Sequence, residues 1–122
     1  MTENRSKATR RRHKRVPLAA SVVLNFEEGG DELSLRAMTA DISLSGIGLY
    51  IERSLQDGAG VTIEISFRAM GGLIKSDAVE GYVVYSNYIK DIYFVGIEFA
   101  EELAPSNQPD LYDCLQNILN WD

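Results

Sequence analysis

Val61-Thr62-Ile63-Glu64-Ile65-Ser66-Phe67-Arg68 decides the architecture. Val61, Ile63, Ile65 and Phe67 alternate with Thr62, Glu64, Ser66 and Arg68, and a period of two held over that length marks a strand with one buried and one wet face. Upstream, Val22, Leu24 and Phe26 alternate with Val23 and Asn25, and Glu27-Glu28-Gly29-Gly30-Asp31 has the glycine and acid content of a turn. Leu33, Leu35 and Ala37 then alternate with Ser34, Arg36 and Met38, and Ile47, Leu49 and Ile51 with Gly48, Tyr50 and Glu52. Downstream, Met70-Gly71-Gly72 breaks the pattern, a β-rich stretch runs from Leu73 to Tyr85, Asn87 to Asp91 reads as a turn, and Ile92 to Phe99 as a last strand. Short strands at near-regular spacing predict an antiparallel barrel or sandwich, not a parallel α/β sheet.

The tail changes period. Leu111, Leu115, Ile118 and Leu119 fall on one face of a helix expected over about 108–121, with Pro109 suited to its first turn and Asp110 to the positive end of its dipole. The chain of 122 residues fits one core. We expect two parts: a flexible basic arm, 1–15, and a β-barrel with its C-terminal helix, 16–122. No apolar run reaches the length of a membrane span, and no apolar h-region follows the charged N-terminus. Cys114 is the sole cysteine, so no internal disulfide is possible. These features lead us to expect a cytoplasmic protein.

The net charge of −6 hides a division. Residues 1–15 hold Arg5, Lys7, Arg10, Arg11, Arg12, Lys14 and Arg15 against Glu3, a charge of +6, whereas residues 16–122 carry −12. A cationic arm on an acidic body disfavours a broad DNA-binding surface, because a polyanion meets repulsion beyond the arm. Catalytic patterns are missing. His13 is the only histidine and lies in the basic run, no Cys/His cluster offers a zinc site, and Ser43 and Ser45 are in no nucleophile elbow. Lys75-Ser76 follows Ile74 where a phosphate loop needs glycine. We expect no enzyme, no metal and no cofactor.

Two short segments carry binding chemistry. In Arg10-Arg11-Arg12-His13-Lys14-Arg15-Val16-Pro17, Arg11 and Arg15 have the spacing R-x-x-x-R. Asp41-Ile42-Ser43-Leu44-Ser45-Gly46 fits D-x-S-x-x-G and lies between two expected strands. Arginine's planar fork meets phosphate oxygens in pairs, matches the O6 and N7 acceptors of guanine, and stacks on a purine. Asp41 can accept from guanine N1–H and N2–H2, Ser43 can donate to an oxygen or fix the turn, and Gly46 lets backbone approach a ligand. Alone, D-x-S-x-x-G could be an ordinary turn with Asp41 or Ser43 bonding local backbone. The order and separation of both segments in an all-β chain make the pair more specific than either.

These segments, followed by Val95-Gly96-Ile97-Glu98-Phe99, resemble a PilZ domain, the bacterial receptor module for cyclic di-GMP. The resemblance implies a stand-alone, six-stranded antiparallel PilZ-type β-barrel, all-β apart from the C-terminal helix, that changes conformation on binding the messenger and signals to a downstream protein. It implicates Arg11 and Arg15 in gripping phosphate and guanine, and Asp41, Ser43 and Gly46 at the other guanine face. In this family an arginine in the place of Arg10 tends to accompany two intercalated cyclic di-GMP molecules. Two other readings compete: a PilZ-fold protein-interaction adaptor that ignores the nucleotide, and non-specific nucleic-acid binding by the arm. Tyr82, Tyr85, Tyr88 and Tyr93 read as barrel core or surface ladder more readily than as base-stacking groups. Trp121 is expected to pack the helix, and Cys114 to be a half-buried helical residue.

Overall fold

A computed structural model describes residues 14–18 and 20–121, with the side chains of all of these except Met70, Asn120 and Trp121. Six strands follow in order: β1 (Ser21–Glu28), β2 (Asp31–Ile42), β3 (Gly46–Ile51), β4 (Gly60–Arg68), β5 (Ile74–Ile89) and β6 (Ile92–Phe99). A single 3-10 turn, Met70–Gly72, precedes β5, and one helix, α1 (Pro109–Trp121), ends the description. The strands close antiparallel in the order β1-β2-β3-β6-β5-β4, and β1 pairs with both β2 and β4, so the sheet keeps no free edge. The basic stretch 1–13, with Arg10 and Arg11, lies outside the described residues.

Alternation builds the barrel as expected. Ile63 and Ile65 are fully buried and Val61 and Phe67 nearly so, while Glu64 and Arg68 face out. Each such side chain removed from water stabilises by about 1.5–3 kcal/mol. Leu24, Ile42, Ile47, Leu49, Ile51, Val83, Val95 and Ile97 join them in one core. Gly29 and Gly30, both at positive φ, make the two-residue turn between β1 and β2. The turn expected over Asn87 to Asp91 is tighter than that. β5 runs on to Ile89, and Lys90 and Asp91 alone connect it to β6, both in the left-handed region.

Helix α1 covers one barrel end with Leu111 and Leu115, both buried. Its first turn is seated on β5: Leu111 N–H donates to Asp77 Oδ2 at 3.3 Å, and Lys75 pairs with Asp110 at 3.2 Å. Burial raises the Asp77 carboxyl above its ordinary range, the Leu111 bond and Lys75 opposing that shift and Asp110 adding to it. Cys114 is half-buried, and desolvation pushes its thiol up as well, away from the reactive thiolate. Among the described residues, no helix is long and apolar enough to cross a membrane.

Candidate functional site

The two segments singled out in the sequence meet at the end of β2. Val16 and Ile42 form an antiparallel bridge, Val16 N–H donating to Ile42 C=O at 2.8 Å and Ile42 N–H to Val16 C=O at 2.9 Å. Beside the bridge, Arg15 Nη1 donates to Asp41 Oδ1 at 2.9 Å, with both side chains largely shielded from water. Arg15 Nε is buried and has no acceptor among the described residues. A buried charged donor left unmatched is costly, so this guanidinium keeps capacity for a further acceptor.

Two β-bulges decide what faces outward here. Leu33, Leu35 and Ala37 face in, and strict alternation would continue inward through Thr39 to Asp41. The register instead slips between Thr39 and Asp41, so Ile42 enters the core and the Asp41 carboxylate turns out over Gly48. In β5 the same happens between Val83 and Tyr85: Val83 stays buried, Ser86 pairs with core residue Val95, and Tyr85 turns outward opposite Gly96. Pairing then aligns Asp41, Gly48, Gly96 and Tyr85 across four strands as one outward row.

The middle of that row carries no side chain of its own, and both glycines are buried beneath those of their neighbours. A Cβ on Gly48 would stand 2.8 Å from both Asp41 Oδ1 and Phe94 Cζ, and one on Gly96 would stand 2.6 Å from the Tyr85 ring. The result is a shelf whose two glycines lie packed under Asp41, Phe94 and Tyr85, with a carboxylate and guanidinium at one end and an aromatic wall along its length. Tyr50, Phe94 and Tyr85 form that wall, with ring centroids 5.3 and 5.9 Å apart in sequence. Three inter-strand spacings make the shelf about 14 Å wide. Such a surface suits a flat, polar-edged anion: the rings offer faces for stacking, the carboxylate accepts from ring N–H groups, and the guanidinium meets oxygens.

Ser43 and Gly46 lie in the adjoining turn, each with a structural task. Buried Ser43 accepts at Oγ from Ser45 N–H at 3.1 Å and Gly46 N–H at 3.2 Å, and its own N–H donates to Gly46 C=O at 2.8 Å. That is a serine-stabilised turn. Gly46 begins β3, and a Cβ there would meet the Ile97 carbonyl at 2.6 Å, so the absence of a side chain is already required by strand packing. The turn is tied to the end of β6 through Phe99 N–H to Ser45 C=O and to the chain beyond it through Leu103 N–H to Leu44 C=O. Thus Arg15 and Asp41 touch, Ser43 and Gly46 hold the neighbouring turn, and Arg10 and Arg11 fall outside the description. Sequence reasoning passed over Gly48, Gly96, Phe94 and the outward placement of Tyr85. Among the described residues no group of side chains is arranged to hold a metal.

Comparison with known proteins gives a consistent picture. The PilZ domain family model matches residues 9–117. No curated protein matches the sequence. Among solved structures, the inhibitor of motility MotI/DgrA from Bacillus subtilis superposes with a TM-score of 0.70 at 21% identity, over 90% of this chain and 52% of that one. This chain therefore spans about half the length of that protein. The PilZ domain of YcgR from Escherichia coli, solved with c-di-GMP, gives 0.62 at 19% identity over 91% and 92% of the two chains. The K. pneumonia MrkH–c-di-GMP complex gives 0.63 at 15% identity over 89% and 51%.

Proposed function

This chain belongs to the PilZ domain family, and from that premise we propose that it is a receptor for cyclic di-GMP, a binding module and not an enzyme. The observation that carries the reading is the contact of Arg15 with Asp41 at the end of a shelf whose glycines are packed under an aromatic wall. The ligand has two guanines and two phosphates, and the shelf offers a partner for each kind of group. On binding, Asp41 exchanges the Arg15 guanidinium for guanine N1–H and N2–H2, and Arg15 turns its fork, with the unmatched Nε, to phosphate or to guanine O6 and N7. Each charge-assisted contact contributes about 1.5–3 kcal/mol. Arg11 and Arg10 then close over the ligand from the basic stretch, Ser43 and Gly46 keep the turn in place beneath it, and Tyr85 stacks on a base. The bound arm and the turn tied to Leu103 form the surface that a downstream protein reads in a cytoplasmic signalling step.

Isothermal titration of the full chain with cyclic di-GMP tests this. The expected result is binding at or below micromolar concentration, with two molecules per chain for an intercalated pair, and at least tenfold weaker binding for Arg15→Ala and Asp41→Ala. A folded chain that gives no binding at tens of micromolar, or binds as well after Arg15→Ala, overturns the reading.

A further inference from the structure

One row along from the shelf, the register sets Gly46, Glu98 and Tyr82 side by side on β3, β6 and β5. Glu98 is two residues from Gly96 on β6, so it shares the outward face of the glycine row. The bulge at Val84 keeps Tyr82 and Tyr85 on that same face although they are three positions apart. Glu98 is exposed, and Tyr82 is 41% exposed beside it. Glu98 lies beside Tyr82, and its negative charge holds the phenol proton on. A carboxylate has about four lone-pair sites, so exposed Glu98 keeps acceptor capacity outward. Two inter-strand spacings and one two-residue step put Glu98 about 12 Å from Asp41.

We propose that Glu98 and Tyr82 form a second guanine subsite, in which Glu98 accepts from N1–H and N2–H2 and the Tyr82 ring offers a stacking face. The inference rests on the receptor reading above and deepens it. A ligand with two guanines needs two acceptor edges, and the motif segments supply one, at Asp41. Glu98 is the outward carboxylate in the row next to the shelf, in register with the last residue of the Asp41–Gly46 segment. The guanine it meets belongs to the same molecule as the one at Asp41 or to a second molecule on the shelf, and stoichiometry separates the two.

The sign of one substitution decides. Glu98→Gln removes a negative charge near a doubly anionic ligand. If Glu98 were only a surface charge, its removal would relieve repulsion and binding would tighten or stay unchanged. If Glu98 holds a guanine edge, binding weakens about tenfold to a hundredfold despite that relief. Glu80→Gln makes the same charge change on β5 outside the shelf and serves as the control, with no weakening expected. The hypoxanthine analogue cyclic di-IMP lacks the N2 amine, so Glu98→Gln should also narrow the preference for cyclic di-GMP over it. Titration calorimetry of the full chain, with melting curves to confirm folding, reads all of these. A wild-type stoichiometry of two that falls to one in Glu98→Gln assigns the subsite to a second molecule. Weaker binding at unchanged stoichiometry assigns it to the second guanine of the same one. Wild-type protein that binds while Glu98→Gln binds as tightly or more tightly overturns the subsite and leaves the receptor reading standing. Wild-type protein that fails to bind overturns both.

Discussion

Alanine at Gly46 and at Gly48 should separate the strength of the fold from the strength of the site, although the two glycines are neighbours on the same face of β3. At Gly46 the new Cβ meets the Ile97 backbone carbonyl at 2.6 Å and Glu98 Cα at 3.5 Å. Backbone cannot swing aside, so β3 must move several tenths of an ångström away from β6, where it begins its ladder. Overpacking of this kind costs about 1–3 kcal/mol. In a domain of this size each kcal/mol lowers Tm by about 4 °C, so Gly46→Ala should melt about 4–12 °C below wild type. At Gly48 the obstacles are Asp41 Oδ1 and Phe94 Cζ, each at 2.8 Å and each the far end of a side chain. Both can rotate, at about 0.5–1.5 kcal/mol for leaving a good rotamer. The fold therefore suffers less than at Gly46. The Asp41 carboxylate, however, is driven off the shelf and away from Arg15, and with it goes one charge-assisted ligand contact worth about 1.5–3 kcal/mol, a factor of about 10 to 150 in affinity. Thermal melts of the free proteins and calorimetric titration with cyclic di-GMP measure the two effects. Gly48→Ala binding within twofold of wild type, or melting below Gly46→Ala, would refute the geometry on which the site is built.

Other outcomes follow from single contacts. Tyr85→Ala takes a ring off the outer face over Gly96. It should lower Tm modestly, since the ring packs on Gly96 and Phe94, while weakening cyclic di-GMP by about 1–3 kcal/mol of stacking, as read by calorimetry. Leu115→Ala opens a cavity between α1 and the barrel end and should cost about 2–5 kcal/mol, seen as a lower urea midpoint. Asp77, whose carboxyl burial raises above 3.8, holds its proton more tightly when folded than when unfolded. Its contribution to stability is therefore fully present below about pH 3.8 and is lost as pH rises through the folded value. Asp77→Asn keeps an acceptor for Leu111 N–H without the charge, so urea midpoints should move in the variant's favour as pH rises from 3 to 6; a difference that moves the other way contradicts the burial argument.

Periodicity made most of the barrel legible. The Val61–Arg68 alternation, the glycine turn at 29–30 and the helical tail with Leu111 and Leu115 all describe local physics, in which each residue's neighbours along the chain settle its face. The bulges escaped because a bulge is a property of two strands and not of one. Read singly, β2 and β5 send Asp41 and Tyr85 inward, and only the mismatch with Gly48 and Gly96 on the partner strands turns them out. For the same reason a second demand for glycine at position 46, the close approach of a carbonyl on β6, could not be read from its own strand. Ser43 could be read from sequence as either a ligand contact or a turn-former, and the structure gives its hydroxyl two backbone N–H groups to hold. Tyr88 and Tyr93, expected in a core or a ladder, do meet edge to face at the β5–β6 hairpin with centroids 5.2 Å apart. Arg10 and Arg11 remain a matter of motif alone.

What the bridge between Val16 and Ile42 contributes is best seen as entropy already spent. Fixing backbone costs about 1–2 kcal/mol per residue, and a basic segment that had to be ordered from its root would lose much of what its arginines gain. Here the root is held by two backbone hydrogen bonds and an ion pair on the strand that also carries Asp41. Arg11 lies four residues before that anchor, and fixing four residues costs at most about 4–8 kcal/mol. Arg11 and neighbouring arginines, at about 1.5–3 kcal/mol for each contact, can offset that with three or four bonds to phosphate and guanine. Four residues extend at most about 14 Å, which is also the width of the shelf from Asp41 to Tyr85. In the proposed receptor, the R-x-x-x-R spacing would let the first arginine reach any point of the shelf while the Val16–Ile42 bridge keeps the second at its edge. A longer spacing would raise the ordering cost without adding reach that the surface can use.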